Sequence, residues 1–307
     1  MRLSKGDSMM GFRWAAMLAA LGAAAALPAQ DKNGKGGRND QREERGAEFG
    51  AVAGPTIGKL TAPGKGTIAE IKVPPGDFFI GQPGAAQFAT ATRNNGGDKW
   101  AGVLVLEDGG FIVFEFLDTG YIKDADKEKI DADKLMTDMK AGDEEENKAR
   151  KERGWPAIHI EGWADTPYYD PQTKNLTWAI KLRGEGGGES INHEVRLLGR
   201  EGVMQATLVC SPQAFAKAKP QVNPLLAGFN YTPGHTYAEW KPGDKVAAYG
   251  LAGLIAGGAT YGAAKLGLLS KLGVFFTKGA KAIILVGVAI VAAIGKFFSS
   301  IFGRRRD

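Results

Sequence analysis

Residues 156–210 read PAIHIEGWADTPYYDPQTKNLTWAIKLRGEGGGESINHEVRLLGREGVMQATLVC. Apolar residues here fall in short runs: "AIHIEGWA", "LTWAIKLRG", "SINHEVRLL" and "VMQATLVC". Between them lie "TPYYDPQTKN", "EGGG" and "GREG", which are turn chemistry rather than helix chemistry. Runs of that length, rich in Ile, Val, Leu and Trp, predict four consecutive antiparallel strands. A helix should follow, with Ser211 as its cap and Pro212 at its first position. Pro220 is expected to bend or break that helix. Four adjacent strands followed by a helix predict an α+β domain, mainly an antiparallel sheet with covering helices on one face.

Upstream segments agree. "GTIAEIKVPPGDFFIG" predicts a strand, a Pro-Pro-Gly-Asp turn and an apolar continuation. "WAGVLVLEDGGFIVFEFLD" predicts a hairpin in which glycine supplies the positive φ of the turn. Residues 123–153 carry eleven acids and nine bases. Ile130, Leu135, Met136 and Met139 could line one weak helical face there, with Gly142 interrupting the helix. Asp124, Asp126 and Glu128 suggest a calcium loop, but its glycine and closing glutamate are missing, so no metal site is expected. The sole cysteine, Cys210, ends an apolar strand and is expected in the core. It excludes an intramolecular disulfide and a cysteine-based metal centre.

The ends carry an address. Arg2, Lys5 and Arg13 precede the apolar run Trp14–Leu27, and residues 1–29 are expected to be a signal peptide. Residues 30–55 are polar and Gly-rich, an expected disordered linker. The main extracytoplasmic domain then covers 56–244. Residues 245–278 form a Gly-rich apolar or amphipathic helical segment. Residues 279–302 are expected to be a transmembrane helix, with Lys281 and Lys296 reaching the headgroups. Residues 303–307, with Arg304–Arg306, form a basic cytoplasmic tail. This predicts a single-pass protein of the bacterial cytoplasmic membrane with its body outside. Val246–Ala264 is also uncharged and is the alternative second span. Gly253, Gly257, Gly258 and Gly262 there have the spacing that lets helices pack closely in lipid. A net charge of +5, from 39 basic and 34 acidic residues, is too mixed for nucleic acid.

Several segments resemble one bacterial family of predicted membrane-anchored proteins, domain-of-unknown-function family 2167. They are "DTGYIKDADKEKIDADKLM", "EGWADTPYYDPQTKNLTWA", "INHEVRLLGREGV", in which His193 stands where the family has tyrosine, and "FNYTPGHTYAEWKPGDKVAAYGLAGLIAGG". The resemblance spans roughly Gly76 to the C-terminus. It implies an exported, membrane-anchored protein and no particular activity.

The candidate binding residues are Trp163, Tyr168, Tyr169, Asp170, Trp178, Arg196 and Arg200. The aromatics either pack the paired strands or form a binding face. The arginines either grip a carboxylate or phosphate or pair with Asp165, Asp170 or Glu194. Asp170 before Pro171 reads as a turn initiator. His159, Glu161 and Trp163 share a strand face by two-residue spacing, which is the basis for an envelope enzyme. A third possibility is membrane assembly through the Gly-rich helix. The expected partners are the lipid bilayer, an envelope or membrane protein and a second copy of the chain. No cofactor is expected.

Overall fold

A computed structural model describes residues 46–94, 96–107, 109–124 and 130–255, the Glu145 side chain excepted. The expected signal peptide, transmembrane helix and basic tail, with Gly257, Gly258 and Gly262, lie outside the described residues.

The strands alternate between two sheets. The larger has the order β1 (Val52–Ala53), β4 (Phe78–Ile80), β5 (Trp100–Val105), β6 (Phe111–Leu117), β10 (Val203–Cys210), β9 (Glu189–Leu198), β8 (Asn175–Gly184) and β7 (Ile158–Asp170). All its pairings are antiparallel. The smaller has the order β11 (Phe229–Tyr231), β3 (Gly66–Val73) and β2 (Thr56–Ala62). The helices are α1 (Gly84–Ala91), α2 (Ala132–Glu152), α3 (Pro212–Leu226) and α4 (Leu251–Ile255).

The expected strands and hairpins are present, but the large sheet is covered on both faces rather than one. On one side, Leu60, Ile68 and Ile71 of the small sheet and Val222 and Leu226 of α3 pack with Leu104, Phe114, Val195, Met204 and Cys210. On the other, Ala85 and Ala89 of α1 pack with Trp100, Val103, Phe111 and Val113. Two-sided burial explains why β5 and β6 read as almost unbroken apolar runs. Cys210 is buried in the first of these cores, and burial pushes its thiol up to about 12. Tyr231 joins the two sheets: its hydroxyl donates to Leu197 O at 2.8 Å and accepts from Met204 N at 2.8 Å.

Two helix expectations are corrected. Gly142 does not interrupt α2. A helical glycine costs about 1 kcal/mol, and here Gly142 lies buried in a helix held against β7 by Lys140, Asp143 and Asn147. Pro220 does not end α3, which continues to Leu226 with Pro220 and Pro224 inside it. Its inward residues Ala218, Val222 and Leu226 hold it to the sheet. Ser211 caps it as expected, accepting from Ala214 N at 3.1 Å. The β7–β8 connection is also shorter than expected. β7 continues through Pro167 to Asp170 by successive register shifts, leaving residues 171–174 as the turn.

The polar half of α2 has a use that hydrophobic patterning does not show. β7 is an edge strand, and its outward backbone groups need partners. Lys140, Asp143, Asn147 and Arg150 recur at spacings of 3, 4 and 3 along one stripe of α2. Asn147 Nδ2 donates to Ile158 O at 2.7 Å, and Ile158 N donates to Asn147 Oδ1 at 2.8 Å. Ile160 N donates to Asp143 Oδ2 at 3.2 Å, and Lys140 Nζ donates to Glu161 O at 2.9 Å. Trp163 Nε1 donates to Ala132 O at 3.2 Å, at the other end of the helix. The helix thus stands where a ninth strand would pair, and side chains supply the ladder.

Asp143 bears the cost of this arrangement. Burial raises its carboxyl from 3.8 to about 6, against the Ile160 N–H and His159, which lower it. A carboxyl raised in the folded state favours folding most at low pH and loses that contribution as pH rises through about 6. Asp143→Asn keeps an acceptor for Ile160 and cannot ionise. The variant is expected to match the parent at pH 4 and to exceed it by about 1–2 kcal/mol at pH 8. Urea unfolding at the two pH values measures this.

Candidate functional site

One end of the large sheet gathers the turns that follow β6, β7 and β9 together with the chain after β11. There the segments quoted above for their family resemblance meet. Tyr121 stacks on Tyr237 with ring centroids 4.5 Å apart, and Trp240 lies 5.2 Å from Tyr121. Tyr237 Oη donates to Ile122 O at 2.9 Å. Tyr169 Oη donates to Asp124 Oδ2 at 2.8 Å, and Lys174 Nζ donates to the same oxygen at 3.2 Å. The Tyr169 bond, with Lys174, holds the Asp124 carboxyl below its ordinary value. Burial, then Asp124, raises the Tyr169 hydroxyl. This phenol therefore remains a donor at every physiological pH.

Arg200 closes the same end. Its Nε and Nη2 donate to the two oxygens of Asp244, at 2.7 and 2.9 Å, a bidentate fork. Arg200 holds the Asp244 carboxyl down at about 2. The turn 199–202 fits only with glycine at its start. A Cβ on Gly199 would lie 2.7 Å from the Tyr231 ring and 3.1 Å from His235 O. The Thr236–Glu239 capping box then folds the following chain back, with Gly234 N also donating to Glu239.

Beneath this end, β9 points a polar row into the interior. Ser190, Asn192, Glu194 and Arg196 are each at most 2% exposed. Arg196 Nη1 donates to Glu194 Oε2 at 2.9 Å, and Thr207 Oγ1 from β10 donates to that same oxygen at 2.7 Å. The Arg196 guanidinium lies 4.7 Å from the Trp178 ring centroid. Burial lowers the Arg196 pKa, opposed by Glu194, and Tyr249 is near enough to contribute. His193 faces the opposite side, edge-on to Phe215 at 5.8 Å. Burial pushes its ring down to about 4, so it is neutral at physiological pH.

The sequence candidates therefore separate. Trp178 and Arg196 are internal and touch one another. Tyr169 and Arg200 hold the loops at the sheet end through Asp124 and Asp244. Asp170 makes the turn, accepting from Gln172 N at 2.8 Å and Thr173 Oγ1 at 2.9 Å. Trp163 is spent on α2. Tyr168, 63% exposed, stands free at the rim. No single aromatic face joins all of them. The expected two-residue spacing of His159, Glu161 and Trp163 is interrupted by a register shift between Ile160 and Gly162. Glu161 pairs with Arg183, while His159 lies 3.8 Å from Asp143 and 3.7 Å from Glu185. Gly253 is packed on the Tyr249 ring, where a Cβ would sit 2.7 Å away. Missed as participants were Tyr121, Asp124, Tyr237, Trp240 and Asp244. All lie in the quoted segments, but only the fold pairs them. Among the described residues, no cluster of three or more His, Cys, Asp or Glu could hold a metal ion.

Comparison with known proteins gives three findings. The family described as Protein of unknown function (DUF2167) matches residues 58–292. No curated protein matches. Among solved structures, the solution structure of cyanobacterial PsbP (CyanoP) from Synechocystis sp. PCC 6803 is similar at 10% identity and a TM-score of 0.34. That similarity covers 59% of this chain and 95% of the other.

The Glu194–Arg196 pair yields a direct test. Removing one member of a buried pair leaves the other charge unpaired, at roughly 3–5 kcal/mol, whereas replacing both with apolar groups is far milder. Arg196→Met and Glu194→Met are each expected to destabilise strongly. The double variant should be more stable than either single one in urea unfolding. Simple additivity would contradict the pairing.

Proposed function

The chain belongs to the DUF2167 family of proteins of unknown function, and from that premise we propose that it is an extracytoplasmic binding module held at the bacterial cytoplasmic membrane. Its C-terminal apolar segment is the anchor. The loop end of the large sheet is the surface offered to an envelope or membrane protein partner. Among the described residues, no helix is long and apolar enough to cross a membrane. The anchoring reading rests on the sequence of residues 279–302.

One observation carries the reading. Residues 245–255, which the sequence assigns to the segment leading toward the apolar run, are packed into the domain. Tyr121 N donates to Lys245 O at 2.8 Å, and Ala247 N donates to Tyr121 O at 3.0 Å. Tyr121 and Val246 form a parallel bridge. Leu251, Leu254 and Ile255 are at most 1% exposed. The stacked Tyr121 thus joins the loop surface to the segment that leads toward the anchor. Tethering at a membrane raises the effective concentration of the surface near membrane-bound partners. Tyr168 and Val246, at 63% and 41% exposure, provide apolar rim contacts.

The test combines fractionation with site-specific crosslinking. The full chain is expected to stay in the pellet after carbonate washing, and external protease is expected to digest its domain in opened cells. A photocrosslinking residue at Tyr168 should trap one defined partner, and one at Ile57 on β2 should not. Release by carbonate would overturn the anchor. Equal trapping at both positions would overturn the assigned surface.

A further inference from the structure

The interior row of β9 carries a need that the Glu194–Arg196 pair does not meet. Ser190 and Asn192 continue that row and are 1% and 0% exposed. Glu194 finds a partner on a neighbouring strand: it stands opposite Thr207 of β10 and accepts from its hydroxyl. The positions beside Asn192 offer nothing of the kind. Register places it between Ile180 of β8 and Val209 of β10, and places Ser190 beside Leu182 of β8. Val209 itself packs with Ala85 and Ala89 of α1 and with Trp100 and Phe111. Two short polar side chains thus stand on the apolar face that α1 covers. Ser190 Oγ, Asn192 Oδ1 and Asn192 Nδ2 are all buried, and none has a hydrogen-bond partner among the described residues.

Three unpaired polar atoms at one place in an interior are costly, and native folds avoid them. Residues two apart on a strand have Cα atoms about 7 Å apart. Serine and asparagine are short, and here they do not bond to one another. One water molecule, making two bonds of about 2.8 Å, spans such a separation. Water also suits both groups chemically. It can donate to Oδ1 or accept from Nδ2, and it can do either with a hydroxyl. Buried waters make about three hydrogen bonds each, and three protein atoms stand ready.

We propose that Ser190 and Asn192 form an internal water site, with at least one molecule bridging Ser190 Oγ to the Asn192 amide. The polar row of β9 is then a hydrated strip within an apolar core, with water at one end and the ion pair at the other. The site lies inside the fold and does not depend on the loop surface assigned above.

A crystal structure of the full chain, at a resolution that shows ordered water, is the first test. A water within hydrogen-bond reach of both Ser190 Oγ and an Asn192 amide atom is expected. A protein group bonded to Asn192 in its place, or no density between the two side chains, would overturn the site. Urea unfolding of the full chain gives a second test. Ser190→Ala removes one anchor of the water, so it should lower the unfolding midpoint of the parent. Asn192→Val removes the water together with the amide, so Ser190→Ala should not lower the midpoint further in that background. Equal shifts in the two backgrounds would contradict the bridge. Should Asn192→Val fail to fold, Ser190→Ala alone decides. Loss of a water-bonded hydroxyl lowers the midpoint, whereas loss of an unpaired one leaves it unchanged or raises it.

Discussion

The outer edge of β7 sets the terms for much of this domain. An antiparallel sheet that ends on a long strand exposes a row of backbone donors and acceptors, and burying that row without partners costs about 1–3 kcal/mol for each group. Here a helix lies along it. Asn147 answers both groups of Ile158, Asp143 answers Ile160 N, and Lys140 answers Glu161 O. The side chains doing this are spaced to face one way, so α2 can cover the strand only in one register. That register also places Arg150 against the loop of Arg93. The edge closure and the Arg150 bonds to Arg93 O and Pro156 O are consequences of the same helix.

At the opposite end of the strands the constraint is aromatic and ionic. Tyr121 stacks on Tyr237 with Trp240 tilted beside it, Asp124 receives Tyr169 and Lys174, and Arg200 grips Asp244. Each contact joins segments far apart in the chain, so the surface forms only when the sheet is complete. Individually exposed ion pairs contribute little, but here they are combined with stacked rings and a bidentate fork. The buried Glu194–Arg196 pair lies under this end on β9. A buried pair is a weak source of stability and a strong penalty on misregister. A one-residue slip of β9 would send both charges into the apolar core on its other face.

Much of the sheet was legible because β strands announce themselves through short apolar runs bounded by glycine. The β5–β6 and β9–β10 hairpins and the Ser211 cap follow from local chemistry alone. The inward stripe of α2 was not legible, because a search for apolar periodicity stops at Met139. Beyond that point the inward residues are Asp143, Glu146, Asn147 and Arg150, which look like a solvated face until an edge strand is placed beside them. Gly142 misled for a related reason: an intrinsic helix penalty says nothing about tertiary contacts. The bulges in β7 broke the two-residue spacing assumed for His159, Glu161 and Trp163. Tyr169 and Arg200 were singled out in the sequence, but Asp124 and Asp244 became their partners only through long-range folding.

The most direct measurement is amide hydrogen exchange at Ile158 and Ile160. These two N–H groups point away from β8 and are bonded only to the side chains of Asn147 and Asp143. If α2 takes the place of a neighbouring strand, both amides will exchange as slowly as those in the β7–β8 ladder. If instead they exchange at the rate of an open edge while the rest of the sheet stays protected, the helix does not close the sheet and the account fails.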